Sequence, residues 1–167
     1  MKTITIYHAT DTTIHEFNLD HLYGGEHNFG PGIYFSTKSN NIDFYLNEYP
    51  NGKIYKVEIE HSHMVQYHEF LTKEMTQLFL DSLPREFYLS KKKYFDEKYK
   101  NKNYLYIFDN LPYEVRYYEN KSEFYLKDFL LKMGDKTGVH SMFMQNGTFR
   151  NEVVVFYPKT ISNVEII

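Results

Sequence analysis

The chain has 167 residues, of which 42% are apolar and 25% are charged, and it contains no cysteine. This composition fits one globular domain over residues 1–167 and excludes disulfides, thiol catalysis and thiolate metal sites. The formal net charge of −3 excludes a basic footprint for nucleic acid over the chain as a whole. Its 17 Tyr and 14 Phe supply rings for both packing and recognition.

The first sixty residues read as strand, loop, strand, helix and strand. Residues 2–8 alternate between apolar and polar, which predicts a strand and argues against a signal peptide. We therefore expect a cytoplasmic protein, or one delivered into a target cell by a route without an N-terminal signal. "IYFS" at 33–36 is a second short strand, apolar spacing predicts a helix over 42–49, and "KIYKVEIE" at 53–60 alternates like a half-buried strand.

The remaining residues are predicted to be mainly helical before a closing strand. Residues 65–82 favour a helix, and residues 85–120 are ambiguous. "SEFYLKDFLLKMG" predicts a helix with Ser122 as N-cap and Gly134 as the left-handed C-terminal cap. "NEVVVFYP" is a β-branched closing strand. The order of elements predicts an α+β fold with a mainly antiparallel β-sheet.

A few side chains depart from what packing alone would choose. His8 ends the apolar face of the first strand, where a core histidine is the alternative to a functional one. Tyr34 and Tyr45 stand on either side of one turn and could hold a planar ring between them, although Tyr45 also fits the core stripe of its helix. Glu152 lies in an otherwise apolar strand, where a buried, unpaired carboxylate is costly. A functional role and a position at the strand's edge are equally open for it.

Other chemistries have less support in the sequence. Neither a glycine-rich dinucleotide motif nor a phosphate-binding loop is present. His61 and His63 lie two residues apart without a third ligand in register, so a solvated turn is expected there rather than a metal site. The Lys/Tyr-rich segment 91–104 could contact nucleic acid through phosphates and stacked bases. A solvated helix face is the alternative.

Four blocks of the sequence share one order with a known family. "YHATD", "FGPGIYFSTKSNNIDFY", "GKIYKVEIE" and "NEVVVFYP" resemble the blocks of the ADP-ribosyltransferase fold, in the branch with a His–Tyr–Glu triad. Poly(ADP-ribose) polymerases, diphtheria-type toxins and small bacterial and phage domains belong to this branch. The resemblance covers residues 1–60 and 122–160. It implies split, mainly antiparallel β-sheets with flanking helices around an NAD cleft.

The resemblance also implies roles for individual residues. His8 would bond the adenosine ribose, Tyr34 would stack on nicotinamide and Tyr45 would close the other side of the ring. Glu152 would bond the 2′-hydroxyl of the nicotinamide ribose and stabilise an oxocarbenium-like transition state. The backbone of Ala9 would bond the nicotinamide amide. The implied catalytic residues are His8, Tyr34 and Glu152, without a metal, and the implied NAD-binding residues are His8, Ala9, Thr10, Gly32, Tyr34, Ser36 and Tyr45.

Some positions differ from the family pattern. Ala9 stands where a glycine is usual, and Ile42 stands where the polymerases have a serine, so Ser36 or Ser39 would have to substitute for it. Arg150 replaces the Gln or Glu of arginine-modifying relatives, so an arginine acceptor is not expected. The chain has only three arginines, which argues against the related RNA 2′-phosphotransferases.

The expected function is that of an NAD-dependent mono-ADP-ribosyltransferase, which moves ADP-ribose from NAD⁺ to a macromolecular acceptor and releases nicotinamide. An NAD glycohydrolase, or a non-catalytic binding module that contacts nucleic acid through residues 91–104, are the alternatives. The acceptor would be a protein or a nucleic acid. We expect a monomer without a membrane partner, which suits a bacterial or phage effector. A toxin of this kind would need an antitoxin or immunity partner.

Overall fold

The computed structural model describes residues 2–20, 30–37, 47, 51–119, 123–144 and 151–167. Within these ranges the strands are β1 (Thr3–Thr10), β2 (Ile33–Ser36), β3 (Lys53–Glu60), β4 (Met64–Gln66), β5 (Ser141–Met144), β6 (Glu152–Val155) and β7 (Ser162–Ile166). The helices are α1 (Lys73–Leu80), α2 (Arg85–Ser90), α3 (Lys92–Lys98), α4 (Tyr104–Glu119) and α5 (Glu123–Thr137), followed by a 3₁₀ turn at Pro158–Thr160. None of these described helices is both long and apolar enough to cross a membrane.

All the described strands belong to one sheet in the order β4-β5-β6-β2-β1-β3-β7. Every neighbouring pair is antiparallel except β4 and β5, which are parallel. The predicted α+β class with a mainly antiparallel sheet is therefore confirmed. The strands predicted at "IYFS" and "KIYKVEIE" are found at those residues, and the opening strand extends to Thr10.

The two faces of the sheet pack against two apolar clusters. On one face, Val154 joins the buried side chains of the helices, and the ring of Phe156 stacks on that of Phe108 with centroids 4.0 Å apart. On the other face, Val153 and Val155 pack with Ile6 and other strand residues. The strand β6 is thus buried on both faces, as its uninterrupted apolar sequence predicts.

The helix predicted over residues 65–82 is wrong in its first half. Residues 64–66 form β4, and α1 begins only at Lys73, where the hydroxyl of Thr72 accepts a hydrogen bond from the backbone of Met75 at 3.1 Å. The backbone N–H of Tyr67 instead donates to Phe143 at 3.1 Å, and that of Leu71 donates to Lys102 at 3.0 Å. Tertiary backbone hydrogen bonds therefore replace the helical ones before Lys73.

The cap predicted at Gly134 is also wrong. The helix α5 continues to Thr137, and Gly138 adopts the left-handed conformation with a φ of 73°. A Cβ atom on Gly134 would lie 2.4 Å from the ring of Tyr157. Gly134 is therefore explained by close packing inside the helix, and Gly138 is the residue that ends it.

Several features could not be assigned from the sequence. The ambiguous segment 85–120 contains the three helices α2, α3 and α4. The strands β5 and β7 had no predicted counterpart. Of the helix predicted over 42–49, only Asn47 is described, and it is helical. The N-cap predicted at Ser122 lies outside the described residues.

Candidate functional site

The strand β2 is paired fully on one side and barely on the other. With β6 it forms four residue pairs, from Ile33–Val155 to Ser36–Glu152. With β1 its one described pair is Tyr7–Ser36. Residues 8–10 of β1 and 33–35 of β2, all of them described, form no ladder with each other. We call the place where these two segments separate the seam.

A side-chain hydrogen bond from His8 bridges the seam. Its Nδ1 atom lies 2.8 Å from the backbone oxygen of Tyr34. A carbonyl oxygen only accepts, so Nδ1 must carry the proton of this bond. Burial lowers the pKa of His8 and outweighs the opposing effect of this hydrogen bond. The ring is therefore neutral at pH 7, and its Nε2 atom is a hydrogen-bond acceptor.

The rest of the His8 ring is packed like a core residue. Its centroid lies 5.8 Å from that of Phe17, edge to face, and 5.5 Å from that of Phe35. Alternation along β1 places His8 on the same face as Ile6. The side chain therefore packs as the core interpretation expects, and its Nδ1 atom also bonds across the seam. Its functional role stays a prediction.

Three other candidate residues share the opposite face of the sheet. Ser36 stands directly across from Glu152, and Tyr34 stands across from Val154, two positions along the same strand. Side chains directly opposite each other, or two residues apart in a strand, lie on one face. Tyr34 and Glu152 are half-buried, and Ser36 is only 6% exposed. The structure thus brings a ring, a hydroxyl and a carboxylate together beside the seam.

The Gly-Pro-Gly turn before β2 is explained largely by close packing. Gly30 has a φ of 85°, and a Cβ atom there would lie 2.5 Å from the backbone oxygen of Phe108 in α4. A Cβ atom on Gly32 would lie 2.6 Å from Cγ1 of Val154 in β6. The hydroxyl of Tyr34 donates to the backbone oxygen of Gly30 at 2.7 Å. This bond commits the hydroxyl to the turn, so the face of the ring is what Tyr34 can offer a ligand.

The remaining predicted NAD-binding residues have unequal support. Ala9 is half-buried at the seam and pairs with Ile54 on the other side of β1. Thr10 ends the strand, and its hydroxyl accepts a hydrogen bond from the backbone of Thr12 at 3.2 Å, which shapes the following turn. Tyr45 lies outside the described residues, as do the positions of Ser39, Ile42 and Arg150.

A cavity of about 600 Å³, which was not predicted, has Phe17 among its lining residues. The ring of Phe17 also stands edge-on to that of His8, with centroids 5.8 Å apart, so the cavity is separated from His8 by one ring. The other walls come from the loop after β1, from α5 and from the C-terminal segment. Residues 11–20 carry no motif, so the sequence holds no signal for this cavity. It forms only when segments distant in the chain come together.

The described part of the chain contains no group of three His, Asp or Glu side chains that could hold a metal ion. The ring of His63 instead lies near the carboxylate of Glu60, with Nδ1 3.7 Å from Oε2.

A comparison of the chain with protein families, curated proteins and solved structures finds no match. The residues of the seam and their geometry therefore carry the functional argument.

Proposed function

We propose that the protein is an NAD-dependent mono-ADP-ribosyltransferase whose active site is the seam. The observation that supports it best is the position of His8, Tyr34 and Glu152 on three neighbouring strands, with Tyr34 and Glu152 on one face of the sheet and His8 on the other, bonded to the backbone of Tyr34. These residues are distant in the sequence and are the three that the family resemblance singles out. An ordinary sheet would continue its ladder at this point instead of using a histidine side chain.

In this proposal NAD⁺ crosses the seam. The nicotinamide ring stacks on Tyr34, on the face that also holds Ser36 and Glu152. The adenosine half lies on the His8 side, where the cavity next to Phe17 offers about 600 Å³ of mainly apolar space. The Nε2 atom of His8 accepts a hydrogen bond from a ribose hydroxyl, which matches its neutral state at pH 7.

The reaction breaks the bond between the nicotinamide nitrogen and C1′ of its ribose. The nitrogen keeps the electron pair, so nicotinamide leaves as a neutral molecule, and positive charge develops on the ribose. The half-buried carboxylate of Glu152 accepts a hydrogen bond from the 2′-hydroxyl and stabilises that charge more than water would. A nucleophilic oxygen or nitrogen of the acceptor then bonds C1′ and loses its proton to solvent.

Release of nicotinamide from NAD⁺ tests the proposal. The purified chain is compared with Glu152→Gln and with Glu74→Gln, a control in which an exposed carboxylate of α1 is changed in the same way. Loss of one preorganised electrostatic partner lowers such a rate by about 10²–10³-fold. We expect this loss for Glu152→Gln alone, and we expect cell lysate to increase release from the unchanged chain.

The outcomes separate the alternatives. Release that does not depend on lysate would favour NAD glycohydrolysis, in which water is the acceptor. Equal release from the unchanged chain and Glu152→Gln would refute the role of Glu152. No release from a folded chain, with or without lysate, would favour a non-catalytic binding module.

A further inference from the structure

A second surface on the helical side of the molecule is not used by the proposed catalytic site. A groove of about 1200 Å³ lies between the α2–α3 pair and α4. Its walls include Lys91, Lys92, Lys93, Tyr94, Tyr113 and Tyr117. We call it the lysine–tyrosine groove. We propose that it binds single-stranded nucleic acid and, resting on the proposed function, that the bound strand is the acceptor of ADP-ribose.

The rings of the groove are exposed to an unusual degree. Tyr117 is 91% exposed and Tyr94 is 49% exposed, and Leu89 in α2 is 57% exposed. Grouped exposed apolar and aromatic side chains mark interaction surfaces more often than isolated ones do. Bases stack on such rings without regard to sequence, because every base has a π-face. The rings therefore fit unpaired bases.

The charges along the groove favour an anionic strand. Two carboxylates line the groove: Glu114 is paired with Lys98, and Asp109 forms no ion pair with another described residue. Lys92 is itself paired with Asp96, outside the groove. Lys93 forms no ion pair with another described residue. Residues 85–119 contain eight Lys or Arg and six Asp or Glu, whereas the whole chain contains 19 Lys or Arg and 22 Asp or Glu. The positive charge is thus concentrated on this side of an acidic protein.

A second cavity shares Lys92 with the groove. This cavity measures about 490 Å³, and its lining includes Lys73 and Lys100 as well as Asp96, the ion-pair partner of Lys92. Lysines therefore line both spaces, which suits the repeating phosphates of a strand better than one isolated anion.

The position of the groove connects it to the proposed active site. Asp109 lines the groove and lies in the part of α4 on which the Gly30 turn packs, since a Cβ on Gly30 would lie 3.3 Å from the backbone nitrogen of Asp109. The backbone of Gly30 in turn holds the hydroxyl of Tyr34. The groove and the turn that carries Tyr34 therefore contact the same segment of α4. In the proposed reaction a base or sugar of a strand that extends from the groove supplies the oxygen or nitrogen that bonds C1′ as nicotinamide leaves, and the displaced proton passes to solvent.

Binding is measured without NAD⁺, by fluorescence anisotropy of labelled DNA and RNA single strands of about 15 nucleotides. Three phosphate contacts predict that log K falls with log salt with a slope of about −2. Tyr117→Ala should weaken binding about fivefold or more, and Lys93→Ala should also reduce the salt slope by about 0.7. The controls are Phe70→Ala, an aromatic side chain 73% exposed outside the groove, and Lys132→Ala on the surface of α5.

Binding of at least one strand type, weakened by the groove variants and not by the controls, is the expected result. The proposal would be overturned by no binding at low salt or by a flat salt response. It would also be overturned if Tyr117→Ala and Lys93→Ala bound the strands as tightly as the unchanged chain does. Displacement of the strand by an equal concentration of polyglutamate would instead assign the groove to acidic peptides.

A separate measurement tests the acceptor role. The same strands are incubated with NAD⁺, and mass spectrometry detects the gain of one ADP-ribose, which we expect to be absent with Glu152→Gln. Binding without this gain, while nicotinamide is still released, would refute the acceptor role and leave the active site in place. Binding without any nicotinamide release would refute the proposed function and leave the groove in place.

Discussion

The two sides of β2 differ in how they are held. Toward β6, four consecutive residue pairs and the buried side chains of Val153 to Val155 make a continuous part of the core. Toward β1, a single described backbone pair and the side chain of His8 make the connection. The strand β2 is therefore held in the sheet mainly by its pairing with β6. In the proposed function, the ligand crosses the sheet on the β1 side, where the described pairing is least.

The largest expected effect is on the β6 side. Phe156→Ala removes a side chain that is 1% exposed and stacked on Phe108, so we expect the free energy of unfolding to fall by about 3–5 kcal/mol. Urea denaturation measures this change. Phe70→Ala, at a site 73% exposed, should change it by no more than about 0.5 kcal/mol. Similar losses for both variants would contradict the difference in packing.

The glycine next to β2 gives the next effect. Gly32→Ala would force a Cβ atom to within 2.6 Å of Cγ1 of Val154 and 3.1 Å of the backbone oxygen of Val155. Overpacking of this kind costs about 1–3 kcal/mol. Gly138→Ala is the matched comparison, because it meets no atom within 4 Å and is strained only by its φ of 73°. Thermal unfolding should rank Gly32→Ala as the less stable variant, and the reverse order would refute close packing of the turn on β6.

The hydroxyl of Tyr34 should contribute to stability, and its ring should contribute to NAD⁺ binding. Tyr34→Phe removes the 2.7 Å hydrogen bond to Gly30 and should cost about 0.5–1.5 kcal/mol of stability, while NAD⁺ binding is retained. Tyr34→Ala should also lose the stacking surface and weaken NAD⁺ binding by about two- to twelvefold, which corresponds to about 0.5–1.5 kcal/mol for a ring pair beyond burial. Calorimetry with NAD⁺ on both variants checks this. Equal NAD⁺ affinities of Tyr34→Phe and Tyr34→Ala would refute the stacking of nicotinamide on Tyr34.

The smallest effect is a dependence of stability on pH. His140 is 2% exposed, and its Nε2 atom has no hydrogen-bond partner among the described residues. Burial lowers the pKa of His140 below the ordinary value of 6.5, and this outweighs the opposing effect of the backbone carbonyl of Glu60. The unfolded chain therefore binds more protons below pH 6.5, and the free energy of unfolding falls as pH decreases through this range. His8 contributes in the same direction.

The His140→Gln variant isolates this contribution. Its denaturation midpoint should fall less between pH 7.5 and pH 5.5 than that of the unchanged chain. An identical fall in both proteins would mean that His140 does not titrate as its burial implies.

Local patterns in the sequence predicted the elements whose side chains alternate or repeat clearly. "KIYKVEIE" alternates between core and surface, and "VVV" in β6 is apolar on both faces, so both strands were predicted correctly. Gly134 was wrongly predicted as a helix end because its need for close approach to Tyr157 arises from a residue 23 positions later. Residues 67–71 were wrongly predicted as helical because the backbone N–H groups of Tyr67 and Leu71 donate to β5 and to Lys102.

The same limit applies to the candidate site. The sequence singled out His8, Tyr34 and Glu152 because their types were unexpected at those positions. It could not predict the seam, since the loss of pairing between residues 8–10 and 33–35 is a property of two strands together. Nor could it predict the cavity at Phe17, whose walls come from three distant segments.

Calorimetric titration of the Glu152→Gln protein with NAD⁺ tests the central claim most directly, because binding is then measured without turnover. Saturable binding is expected, and in the double variant Glu152→Gln, His8→Ala it should be weaker by about five- to tenfold, since one hydrogen bond contributes about 1 kcal/mol or slightly more. The control is Glu152→Gln with His68→Ala, a histidine after β4 that lies away from the seam in the sheet order. Unchanged affinity in the His8 variant, or no binding of NAD⁺ to the folded protein, would contradict the assignment of the seam as the NAD site.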